Sequence, residues 1–203
     1  MAHTTLKTSY ANLTERLNRF PQGAPPSDLL YRILQILFSE REAQLVAELP
    51  IRPFKAKRAS RIWKLDLVET QKVLDELASR AILVDIQQNG ETEYVLPPPM
   101  AGFFEFSMMR MRDDIDQKLL AELFYEYLNV EEDFIRELFT RGETQLGRTF
   151  VHEPALSAQN AIHVLDYERA SEVIKTASHR GIGICYCRHK MEHKDRACDA
   201  PQD

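Results

Sequence analysis

The chain has 203 residues, a formal net charge of −5 at pH 7, and 44% hydrophobic and 28% charged residues, a profile typical of a globular protein that buries a core. The negative charge argues against nucleic-acid binding through the overall electrostatic field, although a local basic patch can still contact phosphates. No apolar run approaches the roughly 18 residues that span a bilayer, and the N-terminus lacks the apolar core of a signal peptide, so we expect a cytoplasmic protein without a membrane segment.

The first predicted unit is a polar segment, and a helical domain follows it. Residues 1–24 are weakly patterned and end in FPQGAPP, so we predict an N-terminal tail and linker there. From Ser27 the pattern becomes helical, and Ser27 or Asp28 can accept hydrogen bonds from the first amides. The apolar positions of this helix fall on one face: Leu30, Ile33, Leu34 and Leu37. A shorter amphipathic helix, EAQLVAEL, comes next.

Two further helices and a hairpin complete a domain that we predict over residues 25–100. The helices lie in FKAKRASRIWKLD and DLVETQKVLDELASR, and the second begins with Asp66 and Glu69 at capping-box spacing. Its predicted inner face comprises Leu67, Leu74, Leu77 and Ala81. In AILVDIQQNGETEYVL, Asn89-Gly90 joins two alternating segments, which predicts a β-hairpin. The last three of these helices, followed by the hairpin, have the order of a winged helix.

The rest of the chain divides into a helical connecting region, 101–145, and a C-terminal segment, 146–203. Aromatic residues run through the connecting region, where we expect core packing and, as an alternative, a homo-oligomer interface. In the C-terminal segment we predict a strand at IHVLD, a helix capped by Asp166, and a strand at GIGICYC. This small β-α-β-like unit would carry Cys185 and Cys187 at a strand end. The predicted fold class is therefore α+β, mostly α.

A basic stretch, residues 51–64, contains six Lys or Arg residues and no acid. Lys57, Arg58, Arg61 and Lys64 are its candidates for contact with nucleic acid or a partner, whereas Trp63 is expected to anchor the helix in the core. The following helix, which would enter the major groove, carries four acids: Asp66, Glu69, Asp75 and Glu76. The hairpin also carries acids and no base. These signs disfavour DNA binding and favour protein binding.

All three cysteines lie within 14 residues near the C-terminus, at Cys185, Cys187 and Cys198. Such crowding is typical of a metal or cluster site, because ligands must converge, whereas a disulfide framework would spread them. For zinc, His189 or His193 could complete a tetrahedral set with the three thiolates. Arg188 and neighbouring cations would offset the negative charge of bound thiolates. The spacing indicates a metal without choosing between zinc and an iron–sulfur cluster.

The run HVLDYERASEVIKTA through GIGICYCRHKMEHKDRACDAP resembles bacterial and archaeal ferredoxin-type iron–sulfur proteins. The segments PIRPFKAKRASRIWKLDLVETQKVLDELASRAIL and MAGFFEFSMMR also resemble the winged-helix and connecting regions of that family, so the resemblance covers the chain from about residue 25. It implies that Cys185, Cys187 and Cys198 are the first three ligands of a 4Fe–4S cluster. The chain ends at Asp203, where the fourth cysteine would be expected, and the further ferredoxin motifs are absent. The resemblance therefore implies the N-terminal part of a longer, C-terminally truncated protein with an incomplete site.

We expect a redox protein that transfers electrons with redox protein partners, or its N-terminal scaffold. Two alternatives remain: a winged-helix transcription regulator with a metal- or redox-sensing cysteine site, and a structural zinc site. No Ser-His-Asp or Cys-His constellation and no phosphate-binding loop can be identified from spacing, so we predict that the chain is not an enzyme.

Overall fold

The protein is described from a computed structural model, which covers residues 2–20, 22–140 and 166–200. It is α+β and mostly helical, with one three-stranded antiparallel sheet in these ranges, as the sequence predicts at this level. The elements up to residue 100 are α1 (Ala2–Leu17), α2 (Asp28–Leu37), α3 (Glu40–Ala47), β1 (Phe54–Lys55), α4 (Ala56–Trp63), α5 (Leu67–Ser79), β2 (Val84–Gln88) and β3 (Glu91–Val95). Among the described residues, no helix combines the length and apolar character needed to cross a bilayer.

Five helices follow residue 100 in the described ranges, and the last of them lies at the thiol-bearing end of the chain. They are α6 (Phe104–Phe106), α7 (Gln117–Tyr125), α8 (Glu132–Thr140), α9 (Tyr167–Thr176) and α10 (Tyr186–Glu192). A kinked turn over Pro99–Phe103 precedes α6, and a π-helical turn over Glu126–Val130 joins α7 to α8. Residues 101–140 are thus largely helical, and residues 141–145 of the predicted connecting region lie outside the described residues.

The first residues form a helix where the sequence predicts a tail. α1 packs against α3, with Tyr10, Leu13 and Leu17 buried. The Arg16 side chain is fully buried and donates to the backbone carbonyls of Leu49 and Pro50, at 3.3 and 2.6 Å. Burial of a guanidinium is costly unless it is hydrogen-bonded, and these two carbonyls supply that compensation just beyond the C-terminus of α3.

The predicted helix starts are confirmed, with differences in detail. Ser27 Oγ accepts from the Leu30 amide at 3.1 Å, and Asp66 Oδ1 accepts from two amides of α5 at 2.9 Å. Glu69, however, does not complete a capping box, because its carboxylate binds Arg41 at 2.7 Å. The prediction that Leu67 lies on the inner face of α5 is also wrong, since its side chain is 43% exposed at the first turn.

The hairpin forms as predicted and extends into a third strand. Asn89 and Gly90 both have positive φ, 52° and 77°, which is the conformation that lets a two-residue turn follow the twist of the strands. β1 pairs with the other side of β3, so the sheet order is β1-β3-β2. Trp63 is buried beneath this layer and donates from Nε1 to the Leu45 carbonyl at 2.8 Å, which confirms its predicted role in the core.

Aromatic residues of the connecting region form the centre of the core. Phe104 is fully buried, with ring centroids 4.9 Å from Phe103 and 5.0 Å from Phe124. Tyr127 and Phe134 continue the cluster, with their centroids 5.2 Å apart. Such tilted and edge-on pairs add to the burial of apolar surface. The core therefore joins the first three helices to the connecting region.

The C-terminal region differs from the predicted β-α-β-like unit. α9 forms where expected, and Asp166 caps it by accepting from the Arg169 amide at 2.9 Å. The predicted strand IHVLD lies, apart from Asp166, outside the described residues. The second predicted strand is wrong: residues 181–185 are irregular and α10 begins at Tyr186. A strand needs a neighbouring strand; among the described residues, the backbone of this segment bonds to the body from the Ile184 amide to the Met109 carbonyl at 2.8 Å.

Candidate thiol site

The candidate site lies at the start of α10, and two buried side chains of this helix dock it on α6 and α7. His189 Nδ1 is 2.8 Å from the Met108 carbonyl oxygen. Because a carbonyl only accepts, Nδ1 must carry the proton in this contact. Lys190 Nζ donates to Asn129 Oδ1 at 3.1 Å, and burial lowers the pKa of this lysine. These contacts fix the helix with its N-terminal turn at the surface.

Two of the three predicted thiols meet in that turn. Cys185 occupies the N-cap of α10, and its Sγ lies 3.2 Å from Cys187 Sγ. Cys198 is brought to the same side through Arg188, whose Nη1 is 3.9 Å from Cys198 Sγ and donates to the Ala200 carbonyl. All three cysteines are exposed and carry no disulfide. Cys185 and Cys187 are thus in direct contact, and the Arg188 guanidinium lies between this pair and Cys198.

The paired thiols are electrostatically unequal. The backbone N–H of Arg188, and then the neighbouring Cys187 thiol, hold the pKa of Cys185 below its ordinary value. The same contact with Cys185, followed by burial, raises the pKa of Cys187. Two thiols this close do not ionise independently. The arrangement favours one thiolate, on Cys185, hydrogen-bonded by the thiol of Cys187.

The two candidate histidines pair with each other on the buried side of α10. Their ring centroids are 5.0 Å apart. The Nε2 atoms of His189 and His193 are buried and have no hydrogen-bond partner. Since Nδ1 of His189 holds the Met108 carbonyl, Nε2 is the nitrogen that remains for a metal. Neither Nε2 atom is hydrogen-bonded to a thiol in this arrangement.

The thiols fit a thiolate-bound metal in part. Among the residues described, no group of three or more His, Cys, Asp or Glu side chains is gathered closely enough to hold one ion. A tetrahedral ion with Zn–S bonds of about 2.3 Å would place two thiolates roughly 3.8 Å apart. The Cys185–Cys187 pair at 3.2 Å needs to open only slightly for that. For Cys198 to bind the same ion, its side chain would have to move past Arg188. The exposed position of Cys198 allows this movement.

A cavity of about 660 Å³ opens beside Cys185, and nothing in the sequence pointed to it. Its walls include Arg110 and Met109 from the connecting region, Gly183 before α10, and Arg188. The backbone bond between Ile184 and Met109 brings these distant segments together. Gly183 is tightly packed there, because a Cβ at this position would lie 3.1 Å from Met109 Cε. Such contacts depend on tertiary packing, so spacing along the chain could not reveal them.

The basic residues Lys57, Arg58, Arg61 and Lys64 lie far along the chain from the thiols, on α4 and its C-cap, and all four are exposed. Three of the four acids at the start of and along the next helix have partners within residues 25–100. Asp66 caps α5, Glu69 binds Arg41, and Asp75 accepts from the Tyr94 hydroxyl. The predicted charge contrast between α4 and α5 is therefore present at the surface, with part of the acidic charge compensated locally.

Comparison with models of protein families, with curated proteins and with solved structures finds no match to this chain.

Proposed function

We propose that this chain is an iron–sulfur redox protein, or the scaffold part of one, in which Cys185, Cys187 and Cys198 are ligands of a 4Fe–4S cluster. The observation that supports this most is the gathering of three exposed thiols at the start of α10, with Cys198 held near the Cys185–Cys187 pair through Arg188. Thiolates are the usual ligands of such clusters. A bound cluster would supply one-electron transfer, and the chain described here offers three of its ligands.

The surrounding residues would serve the cluster in definable ways. Arg188 places a permanent positive charge beside the thiolates, which lowers the free-energy cost of gathering negative charge. His189 and Lys190 hold α10 to the helical body, so the thiols stay at the surface. An exposed cluster can be approached by redox protein partners. The homo-oligomer predicted through the helical middle stays a prediction; Ile135 and Phe139 are exposed apolar residues of α8 where it can be tested.

The direct test is reconstitution with iron and sulfide without oxygen, followed by metal and sulfide analysis and an absorption spectrum. We expect the wild-type chain to bind iron and sulfide and a Cys185→Ser, Cys187→Ser double variant to lose both. His179→Gln is the matched control, because it changes an exposed residue of the same region and removes neither a thiol nor a candidate imidazole ligand. A colourless, iron-free wild-type chain would contradict the proposal, and so would equal iron in the double variant.

A structural zinc site is the second candidate, and the spacing of the thiol pair favours it. The 3.2 Å separation is close to that of two thiolates on one tetrahedral ion, whereas two irons of one cluster hold their thiolates farther apart. Zinc would require a fourth ligand, for which the sequence offers His189 or His193. One zinc per chain, lost in His193→Gln or His189→Gln as well as in the cysteine variant, would select zinc over the cluster.

We further propose that residues 25–100 form a winged helix that docks proteins. Supporting this are the order α3-β1-α4-α5-β2-β3 and the pairing of β1 with β3. A DNA-binding regulator is the alternative, favoured by the exposed cations of α4. Titration of labelled duplex DNA at low and high salt separates them, because phosphate contacts weaken with salt. DNA affinity that is lost in the double variant Lys57→Glu, Arg61→Glu but kept in the control Lys118→Glu, Lys175→Glu would support the regulator. No affinity at low salt would rule the regulator out.

A further inference from the structure

We propose that the metal-free chain has a second activity: Cys185 and Cys187 act as a dithiol that reduces small disulfides carrying carboxylates. The proposal uses two of the cysteines of the proposed function, but it does not require that a cluster or a zinc ion binds. It concerns the thiols as they stand in the structure, together with the cavity beside them.

The geometry of the pair is suited to forming a disulfide. A disulfide bond is about 2.03–2.05 Å long, so the two Sγ atoms, 3.2 Å apart, have to approach by roughly 1.2 Å. Both thiols are exposed, so side-chain rotation meets little resistance. Cys198 has a different neighbour, the Arg188 guanidinium at 3.9 Å. The structure therefore makes Cys185–Cys187 the preferred bridge among the three cysteines.

The cavity beside the pair identifies the attacking thiol and the class of substrate. Its volume of about 660 Å³ lies within the range of small-molecule sites. Cys185 lines it and Cys187 does not, so Cys185 is the thiol that an occupant meets first. Arg110 supplies a cation to the wall, while Met109 and Ile182 supply apolar surface. Glu192, an acid on the same wall, is bound by Arg188 Nε at 3.2 Å.

The reaction is a thiol–disulfide exchange in two displacements. The Cys185 thiolate attacks one sulfur of the small disulfide, whose S–S bond breaks and releases the first small thiol. Cys187, after losing its proton to solvent, attacks Cys185 Sγ in the mixed disulfide and releases the second small thiol. Two protein thiols are oxidised and one small disulfide is reduced to two thiols, so atoms and electrons balance without a further reactant.

The experiment uses the full chain, freed of metal with a chelator and then reduced, with oxidised glutathione as the probe. We expect the wild-type chain to lose two hydrogens by intact mass, to release two glutathione molecules, and to give a peptide with Cys185 bonded to Cys187. Cys187→Ser should stop at the mixed disulfide on Cys185. Cys198→Ser should react as the wild type does. A wild-type bridge that includes Cys198, or a mixed disulfide that persists in the wild type, would overturn the proposal.

The role of the cavity is tested separately by charge. Arg110→Gln should slow the reaction with oxidised glutathione roughly two- to fivefold, the range expected of one exposed ion pair, and leave the reaction with uncharged hydroxyethyl disulfide unchanged. If Arg110→Gln changed the rates with both probes by the same factor, or changed neither, the substrate class would be overturned. Cys198→Ser also separates this activity from the proposed function, because it removes a cluster ligand and leaves the dithiol intact. Failure of reconstitution in the wild type therefore does not imply failure of exchange, or the reverse.

Discussion

The described residues up to 140 and those from 166 to 200 differ in how much they bury. The first region contains the aromatic cluster and nearly all of the buried apolar side chains. In the second, α9 has no buried residue, and α10 buries only His189 and Lys190. All three cysteines belong to the second region. The part of the molecule that carries the three cysteines contributes little to the core.

We expect folding stability and thiol reactivity to be separable in this protein, because α10 connects the buried core to the region that carries the cysteines. Burial of apolar surface provides most of the free energy of folding, so the first region should unfold as one cooperative unit. The second region is attached through few polar contacts, among them those of His189, Lys190 and Ile184. Segments held in this way open locally at lower free energy than the core.

The largest effect is expected from Phe104→Ala. This side chain is fully buried among Phe103, Phe124 and Tyr127, so its removal leaves a cavity and costs about 3–5 kcal/mol of unfolding free energy. Urea unfolding followed by Trp63 fluorescence measures the loss. The matched control is Phe139→Ala on α8, where the ring is 42% exposed. Similar losses in the two variants would break the distinction between core and surface aromatics.

The second-largest effect is expected at α10, which connects the two regions. His189→Ala removes the donor to the Met108 carbonyl and leaves that carbonyl unpaired, at a cost of about 1–3 kcal/mol. Because α10 opens locally, amide hydrogen exchange in Tyr186–Glu192 should accelerate, while the urea midpoint of the body changes little. His189→Asn, which keeps a side-chain donor, should exchange more slowly than His189→Ala. Unchanged exchange in His189→Ala would mean that other contacts hold the helix.

The features that were predicted correctly from the sequence depend on interactions between residues only a few positions apart. Ser27 and Asp66 bond amides two or three positions ahead, and Asn89-Gly90 sets the hairpin through its own φ angles. Each can be recognised without knowledge of the rest of the chain. The same reasoning predicted that the cysteines gather, because they are adjacent along the chain, and the structure pairs two of them directly.

The features that the sequence did not predict depend on distant partners. α1 has few apolar residues, and it is ordered by packing on α3 and by the bonds from Arg16 to Leu49 and Pro50. The alternation in GIGICYC is typical of a strand, yet no strand is adjacent to it in the described structure, and the chain turns into α10. The cavity beside Cys185 requires Met109, 76 positions earlier.

The body should also respond to alkaline pH through Tyr94. Burial, and then its hydrogen bond to Asp75, raise the pKa of Tyr94 to about 12 from its ordinary 10.0, although the bond from Gln71 opposes the shift. Between pH 10 and 12 the unfolded chain loses this proton and the folded chain keeps it. Stability therefore falls as pH rises through that window. Tyr94→Phe should flatten the slope of unfolding free energy against pH there; parallel slopes would contradict the assignment.

The smallest effect on stability is expected at Cys185 and Cys187, where the effect on metal binding and disulfide exchange is expected to be largest. In the metal-free chain, the Cys185→Ser, Cys187→Ser double variant should change the unfolding free energy by less than about 0.5 kcal/mol, as exposed substitutions usually do, because both side chains lie outside the core. The same variant should lose iron, sulfide and disulfide exchange. Urea unfolding with chelator, compared with wild type, gives the stability. A loss above about 1 kcal/mol would mean that the thiols stabilise the fold directly. A stability difference seen only with metal present would mean that metal binding stabilises the folded state.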